Sequence, residues 1–175
     1  MSLSELISGA LQPVLDLLPQ VHARPASNEW GVADSWLGGV RTFSGPFLHI
    51  PATTHVEIYP KAEGPVDTGL QTLTTADGKT VAVNATAIIR ITDPVYLRAS
   101  VGVEEWETWV AMRIRGCVQE MITGHNWSYS LDRGEDLIEE MAYAELHAFG
   151  IEVERVVLED ICETYALRLL NPYGA

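Results

Sequence analysis

The segment from Thr80 to Thr92 alternates between polar and apolar side chains, and this alternation constrains the fold more than any other feature of the chain. Because successive side chains of a β-strand point to opposite sides, one face of this segment is predicted to be buried and the other exposed. The sequence therefore predicts a half-buried antiparallel strand. Its buried face is predicted to carry Val81, Val83, Ala85, Ala87, Ile89 and Ile91.

Turns that contain glycine predict a partner for this strand and a second hairpin before it. The Asp77-Gly78 pair suits the positive φ angles of a tight hairpin turn, so residues 70–75 are predicted to pair with the strand. Gly38-Gly39 likewise predicts a hairpin between residues 30–37 and 40–43. The first half of the chain is therefore predicted to be rich in antiparallel β structure.

Helical periodicity replaces the β alternation after Thr92. Asp93 suits the N-cap of a helix, and Pro94 suits its first helical position. Residues 104–123 then place apolar side chains on one face of a longer helix. Cys117 belongs to this apolar face and is predicted to pack in the core.

The last part of the chain predicts a helix over 135–149 that ends at Gly150, a strand over 151–158 and a short helix over 163–170. These elements place helices and a strand after the part of the chain that is rich in antiparallel β structure. The helix over 135–149 is predicted to bury Leu137, Ile138, Met141, Ala144 and Phe149.

The N-terminal segment predicts an amphipathic helix, kinked at Pro13, whose apolar stripe needs a cover. The stripe has three candidate covers: the core of its own domain, another protein chain or a membrane. Because Glu5 and Asp16 make the helix acidic, electrostatics favours a protein over a lipid surface. The predicted site for docking of copies or partners is Leu3, Leu6, Ile7, Leu11, Val14 and Leu18.

The charge of the chain restricts the partners that it is expected to bind, and its cysteine content indicates the compartment in which it is expected to lie. The chain has 11 Lys and Arg against 24 Asp and Glu, a net charge of −13, which excludes nucleic acid as the expected partner. Two cysteines without a pairing pattern indicate a reducing compartment. We find no signal peptide pattern and no apolar run long enough to span a bilayer. A cytoplasmic location is expected, with peripheral attachment to a membrane as an open alternative.

The sequence shows no local pattern for catalysis. Cys117 and His125 are the nearest pair of nucleophile and base, but eight positions of helix separate them by roughly 12 Å. The five histidines lack the spacing of metal ligands, and no glycine-rich phosphate loop is present. We therefore expect no enzyme, metal or cofactor. A hydrolase that uses Cys117 or His125 is the alternative to test.

Several strings of residues, taken in order, resemble the stomatin, prohibitin and flotillin proteins, which share the SPFH or band 7 domain. They begin with Glu-Trp-Gly-Val at 29–32 and Ser-Gly-Pro-Phe-Leu-His-Ile-Pro at 44–51. The further matching segments are 70–83, 90–94, 122–125 and 149–161. The resemblance implies an α+β fold, with an antiparallel β subdomain over 30–92 followed by a mixed helix-strand subdomain over 93–161. It suggests three parts: an N-terminal amphipathic segment and linker at 1–27, the SPFH domain at 28–162, and a short helix and tail at 163–175.

The resemblance implies a non-enzymatic scaffold. Family members associate laterally into rings or cages on membranes and often regulate membrane proteases or channels. The hydrophobic anchor and the long coiled coil of larger relatives are not recognisable in this sequence. We therefore expect a homo-oligomer whose copies meet through domain faces and the N-terminal stripe. The alternative is a monomeric adaptor that binds and modulates a membrane protease or another membrane protein complex.

Overall fold

The computed structural model describes residues 22–36, 38–50, 53–101 and 106–164. The predicted N-terminal helix lies outside these residues, and so does most of the predicted helix over 163–170. The described strands are β1 (His22–Ala23), β2 (Glu29–Ser35), β3 (Gly39–Phe43), β4 (Phe47–Leu48), β5 (Thr54–Pro60), β6 (Gly64–Asp67), β7 (Gln71–Thr74), β8 (Thr80–Ile91) and β9 (Ile151–Glu163). The described helices are α1 (Pro94–Val101), α2 (Trp106–Gly124) and α3 (Trp127–Leu146), followed by a 3₁₀ turn, His147–Phe149.

The described residues form two compact units, and each unit combines segments from separate parts of the chain. The first contains the residues up to Glu63 and those from Ile91 to Val101, and the second contains Gly64–Arg90 and the residues from Trp106 onward. The α+β class is confirmed, because antiparallel sheets and helices are both present. The β7-β8 hairpin, however, belongs with the long helices and not with strands β2, β3 and β5, because its apolar face is covered by those helices.

The first unit is built on an antiparallel sheet in the order β3-β2-β5. The hairpin predicted at Gly38-Gly39 is confirmed: β2 pairs with β3, and Gly39 has a φ angle of 69°. Helix α1 packs against this unit with Leu97 fully buried. The capping prediction is also confirmed, because Asp93 Oδ1 accepts hydrogen bonds from the amides of Val95 and Tyr96 at 3.1 and 3.0 Å.

An aromatic cluster covers the opposite face of this sheet. The Phe43 ring lies so close to Gly31 that a Cβ atom at position 31 would be 2.4 Å from it. Phe43 stacks on Phe47 with 4.5 Å between ring centroids. Phe47 belongs to β4, which pairs with β1 inside the segment that the sequence suggested as a linker. A strand of two residues is too short for an alternation pattern to reveal.

The second unit is built around β8, which has partners on both edges. The backbone groups of its odd-numbered residues form hydrogen bonds first with β7 and then with β6. These two strands therefore follow one another along the same edge of β8. Strand β9 pairs with β8 on the other edge, where Thr164 N donates to Thr80 O at 2.7 Å. The predicted hairpin at Asp77-Gly78 and the predicted alternation of buried and exposed residues are both confirmed. Strand β9 runs to Glu163, beyond its predicted end, because β8 offers a partner along its whole length.

Helices α2 and α3 provide most of the remaining core of this unit. Of the apolar face predicted for α2, Trp106 is half-buried and the others are buried: Val110, Ile114, Cys117, Val118, Met121 and Ile122. The prediction for α3 was wrong at its start, which is Trp127 and not Glu135. Of the residues predicted to be buried, only Ile138 is buried; Ala144 is exposed, and the others are half-buried: Leu137, Met141 and Phe149. The buried stripe of α3 begins with Ser130 and Gly134, and these small residues do not register as an apolar pattern. Gly150, with a φ angle of 74°, ends the 3₁₀ turn that follows α3.

Candidate docking surface

The proposed nucleophile and base do not form a reactive pair. Cys117 is 4% exposed, and burial raises the pKa of its thiol to about 11, with further contributions from Glu145 and Glu120. A thiol with this pKa is protonated at neutral pH and is a weak nucleophile. His125 donates from Nδ1 to the carbonyl oxygen of Met121 at 2.9 Å and stacks on Tyr129. Both residues therefore have structural roles.

A cluster of titratable groups lies in the first unit, around Glu57. This carboxylate contacts Arg98 at 3.2 Å and His55 at 2.7 Å, and it accepts a hydrogen bond from the Tyr59 hydroxyl at 2.6 Å. Burial raises the pKa of Tyr59, and the neighbouring Glu57 raises it further. Because Arg98 belongs to α1 and Glu57 to β5, the cluster fastens the helix to the sheet. Within the described segments, no group of three or more His, Cys, Asp or Glu residues could hold a metal ion.

The predicted docking stripe at Leu3, Leu6, Ile7, Leu11, Val14 and Leu18 lies outside the described residues. A different group of exposed apolar side chains lies in the first unit. It consists of Trp36, Leu48 and Ile50, which are 85%, 75% and 66% exposed and are the three most exposed large apolar side chains among the described residues. We call these three residues the apolar tip.

Backbone hydrogen bonds place Trp36 and Ile50 at the same end of the sheet. The amide of Trp36 donates to Thr53 O at 3.1 Å, and the amide of Thr53 donates in turn to Ile50 O at 2.9 Å. Leu48 precedes Ile50 by two positions and belongs to β4, whose Phe47 is anchored in the aromatic cluster. The chain therefore folds so that apolar side chains project from ordered backbone. Exposed apolar groups that are held in place in this way are typical of docking surfaces.

The apolar tip lies in a stretch without negative charge. Residues 35–56 contain no Asp or Glu, although the chain has 24 of them. The same stretch carries Arg41, whose guanidinium lies 5.1 Å from the centre of the Phe47 ring. This stretch of chain therefore lacks the acidic residues that are frequent in the rest of the sequence, although Asp34 of β2 lies opposite its residues Val40 and His55.

The sequence patterns did not reveal this surface. Residues 47–51 stood out for their resemblance to a family string, and Trp36 was assigned to a hairpin strand. Neither observation shows which side chains face solvent. The gap in acidic residues between Ser35 and Val56 is the one signal in the sequence that distinguishes the region.

Comparisons with known proteins agree with the architecture. None of the helices in the described part of the chain is long and apolar enough to cross a membrane. No curated protein matches the chain at a significant level. The sequence profile of the SPFH domain / Band 7 family matches residues 26–168, which is most of the chain and covers strands and helices of both compact units. The protein therefore belongs to the SPFH / Band 7 family.

Proposed function

We propose that this protein is a non-enzymatic scaffold whose copies associate at a membrane surface, to which the apolar tip attaches them. The observation that carries the proposal is the joint exposure of Trp36, Leu48 and Ile50 on an acid-free stretch of a strongly acidic chain. Water solvates these side chains poorly, so their burial in a bilayer is favourable. At roughly 1.5–3 kcal/mol for each large side chain, three of them support reversible attachment.

The chemistry of the tip suits a lipid interface better than an aqueous environment. Tryptophan is enriched at membrane interfaces, where its ring meets acyl chains and its N–H group meets the headgroup region. Leu48 and Ile50 add aliphatic surface beside it. Because the net charge of the chain is −13, we expect a neutral lipid surface to be preferred over an anionic one.

Self-association is the second half of the proposal. It is supported by membership of the SPFH / Band 7 family and by the apolar stripe of the N-terminal segment. In this proposal Leu3, Leu6, Ile7, Leu11, Val14 and Leu18 pack between copies or against a neighbouring protein. A monomer that binds one membrane protein partner with fixed stoichiometry would favour the adaptor function instead.

Flotation with neutral phosphatidylcholine vesicles tests the attachment. The tip variant carries Trp36→Ser, Leu48→Ser and Ile50→Ser. Its matched control carries Leu70→Ser, Met112→Ser and Leu131→Ser, at side chains that are 63%, 59% and 54% exposed in the second unit. We expect the wild type and the control to float with the vesicles and the tip variant to stay behind. Equal flotation of both variants would contradict attachment through the tip.

The folding of the two variants must be compared as well. All six side chains are more than half exposed, so their replacement removes few packing contacts. Thermal unfolding is therefore expected at nearly the same temperature in both variants and in the wild type. A large fall for the tip variant alone would mean that the tip packs within the protein and is not a docking surface.

A further inference from the structure

The outer edge of β5 carries backbone groups that point away from the sheet. Hydrogen bonds from Lys61 N to Asn28 O and from Trp36 N to Thr53 O fix the phase of the pairing between β2 and β5. They show that the odd-numbered residues of β5 bond to β2. The amides and carbonyls of Val56 and Ile58 therefore point outward, since these groups alternate along an antiparallel strand.

Two other strand edges in the described parts of the chain, those of β9 and β6, are protected. On β9, the amides of Val156 and Leu158 bond to the carboxylates of Glu139 and Glu135 at 3.3 and 2.9 Å. On the outer edge of β6, Pro65 has no amide hydrogen to offer. Such devices normally prevent edges from pairing with other chains.

The central part of β5 lacks this protection. Among the described residues, no strand pairs with its outer edge, and Pro60 stands only at its end. Ile58 is 47% exposed, and no described residue outside β5 bonds to its amide or to the amide of Val56. An open edge with apolar side chains is a template for strand addition.

We propose that the outer edge of β5 pairs with the same edge of a second copy, as an antiparallel strand pair centred on Val56. Each copy donates from the amide of Val56 to the partner's Val56 carbonyl, and from the amide of Ile58 to the partner's Thr54 carbonyl. The three-stranded sheets of the two copies then become one continuous sheet. The contact is two-fold symmetric, so each copy presents the same surface.

The charged side chains of β5 favour the register centred on Val56 over the adjacent register, which is centred on Glu57. A pair centred on Val56 places His55 opposite Glu57 of the second copy, so that each Glu57, which already contacts His55 and Arg98 of its own chain, faces a second histidine. A pair centred on Glu57 also uses the outward amides, but it places the two Glu57 carboxylates opposite one another. Like charges in directly opposed positions destabilise strand pairs, so the pair centred on Val56 is favoured.

Disulfide trapping tests the contact in the full chain. Every cysteine variant also carries Cys162→Ser, because Cys162 is exposed and would form cross-links of its own. Cys117 is buried and is left unchanged. In the proposed register the two Val56 Cα atoms lie about 5.5 Å apart, within the range of a disulfide. Val56→Cys should therefore give a covalent dimer under mild oxidation. The two residues at position 58 lie four positions apart, roughly 13 Å, so Ile58→Cys should not.

A mixture of the two cysteine variants tests the competing register. Pairing centred on Glu57 brings Val56 opposite Ile58, so it links the two variants to each other and not to themselves. A cross-link in the mixture alone, or equal cross-linking of both variants by themselves, would overturn the proposal. No cross-link in any sample would overturn it as well.

A variant without a new thiol provides an independent readout by sedimentation velocity. Ile58→Lys places a charge on the proposed contact, and Leu131→Lys places one on α3 as a control. We expect a smaller dimer fraction for Ile58→Lys only, and equal dimer fractions would contradict the contact.

The inference rests on the proposed self-association, but different results would contradict the two. Copies that associate without the link at position 56 contradict the contact and leave the scaffold function standing.

Discussion

Asp77 Oδ1 accepts a hydrogen bond from the backbone amide of Trp127 at 3.0 Å, although the two residues lie 50 positions apart in the chain. Trp127 is the first residue of α3, and Asn126 before it makes no capping hydrogen bond with its own side chain. A second bond, from Ala76 N to His125 O at 3.0 Å, joins the same two segments. The turn of the β7-β8 hairpin thus supplies the N-cap of a distant helix.

Replacing Asp77 by Asn is expected to lower the thermal unfolding temperature, because the charged acceptor at the positive end of α3 is lost. Asp132→Asn is the matched control, since Asp132 is exposed on the same helix and makes no ion pair with another described residue. Differential scanning calorimetry of both variants measures the effect. Equal unfolding temperatures would show that the negative charge of Asp77 at the start of α3 contributes nothing, since Asn can still accept the hydrogen bond from Trp127.

The stabilisation by Asp77 is expected to depend on pH. Hydrogen bonds, first from the Thr75 hydroxyl and then from the Trp127 amide, hold the pKa of Asp77 below its ordinary value. A lowered pKa in the folded state stabilises the fold above the unfolded pKa, about 3.9, and this contribution is lost as the pH falls through the folded value. Denaturation at several pH values should therefore show that the difference between wild type and Asp77→Asn shrinks on acidification. A difference that stays constant down to strongly acidic pH would contradict the assignment.

Gly31→Ala is expected to destabilise the first unit. The new methyl group would lie 2.4 Å from the Phe43 ring, which is itself stacked on Phe47 and cannot move freely. Overpacking of this kind costs about 1–3 kcal/mol. Chemical denaturation measures the loss, and the double variant Gly31→Ala with Phe43→Leu should recover part of it. The absence of any recovery would mean that the ring is not the cause.

The prediction of no cysteine nucleophile can be tested with a thiol reagent. Cys162 is exposed, whereas burial raises the pKa of Cys117 to about 11. The native protein should therefore show a single rapidly reacting thiol with Ellman's reagent, and the denatured protein should show both. Cys162→Ser should remove the rapid reaction. Rapid modification of Cys117 in that variant would reopen the hydrolase alternative.

Membrane attachment is expected to weaken as anionic lipid is added. The net charge of −13 repels a negatively charged surface, whereas the apolar tip makes no use of headgroup charge. Increasing the share of phosphatidylserine in the vesicles should lower the bound fraction, and added salt should restore part of it by screening. Stronger binding to anionic vesicles would mean that Arg41 and other cations dominate the attachment.

Elements that depend on neighbouring residues could be predicted from the sequence. The alternation of β8, the turn at Asp77-Gly78 and the capping of α1 by Asp93 all arise within a few positions of chain. Elements that depend on distant partners could not. The full length of β9 follows from the length of β8, and the start of α3 is hidden because its buried face carries Ser130 and a glycine.

The candidate site follows the same division. The resemblance to the SPFH / Band 7 family could be recognised in the sequence and is confirmed by the family match. The apolar tip could not be predicted, because the exposure of Trp36 and Ile50 is decided by a hydrogen-bonded turn through Thr53. A sequence pattern predicts that an apolar residue is buried, and only the fold shows that such a residue is exposed.

The mass of the full-length protein in solution, measured by light scattering at about 50 µM with and without phosphatidylcholine vesicles, tests the scaffold function most directly. Self-association predicts particles whose mass is a multiple of the 19.3 kDa chain, with larger assemblies on the vesicles. A particle of 19.3 kDa under both conditions would contradict the proposed scaffold.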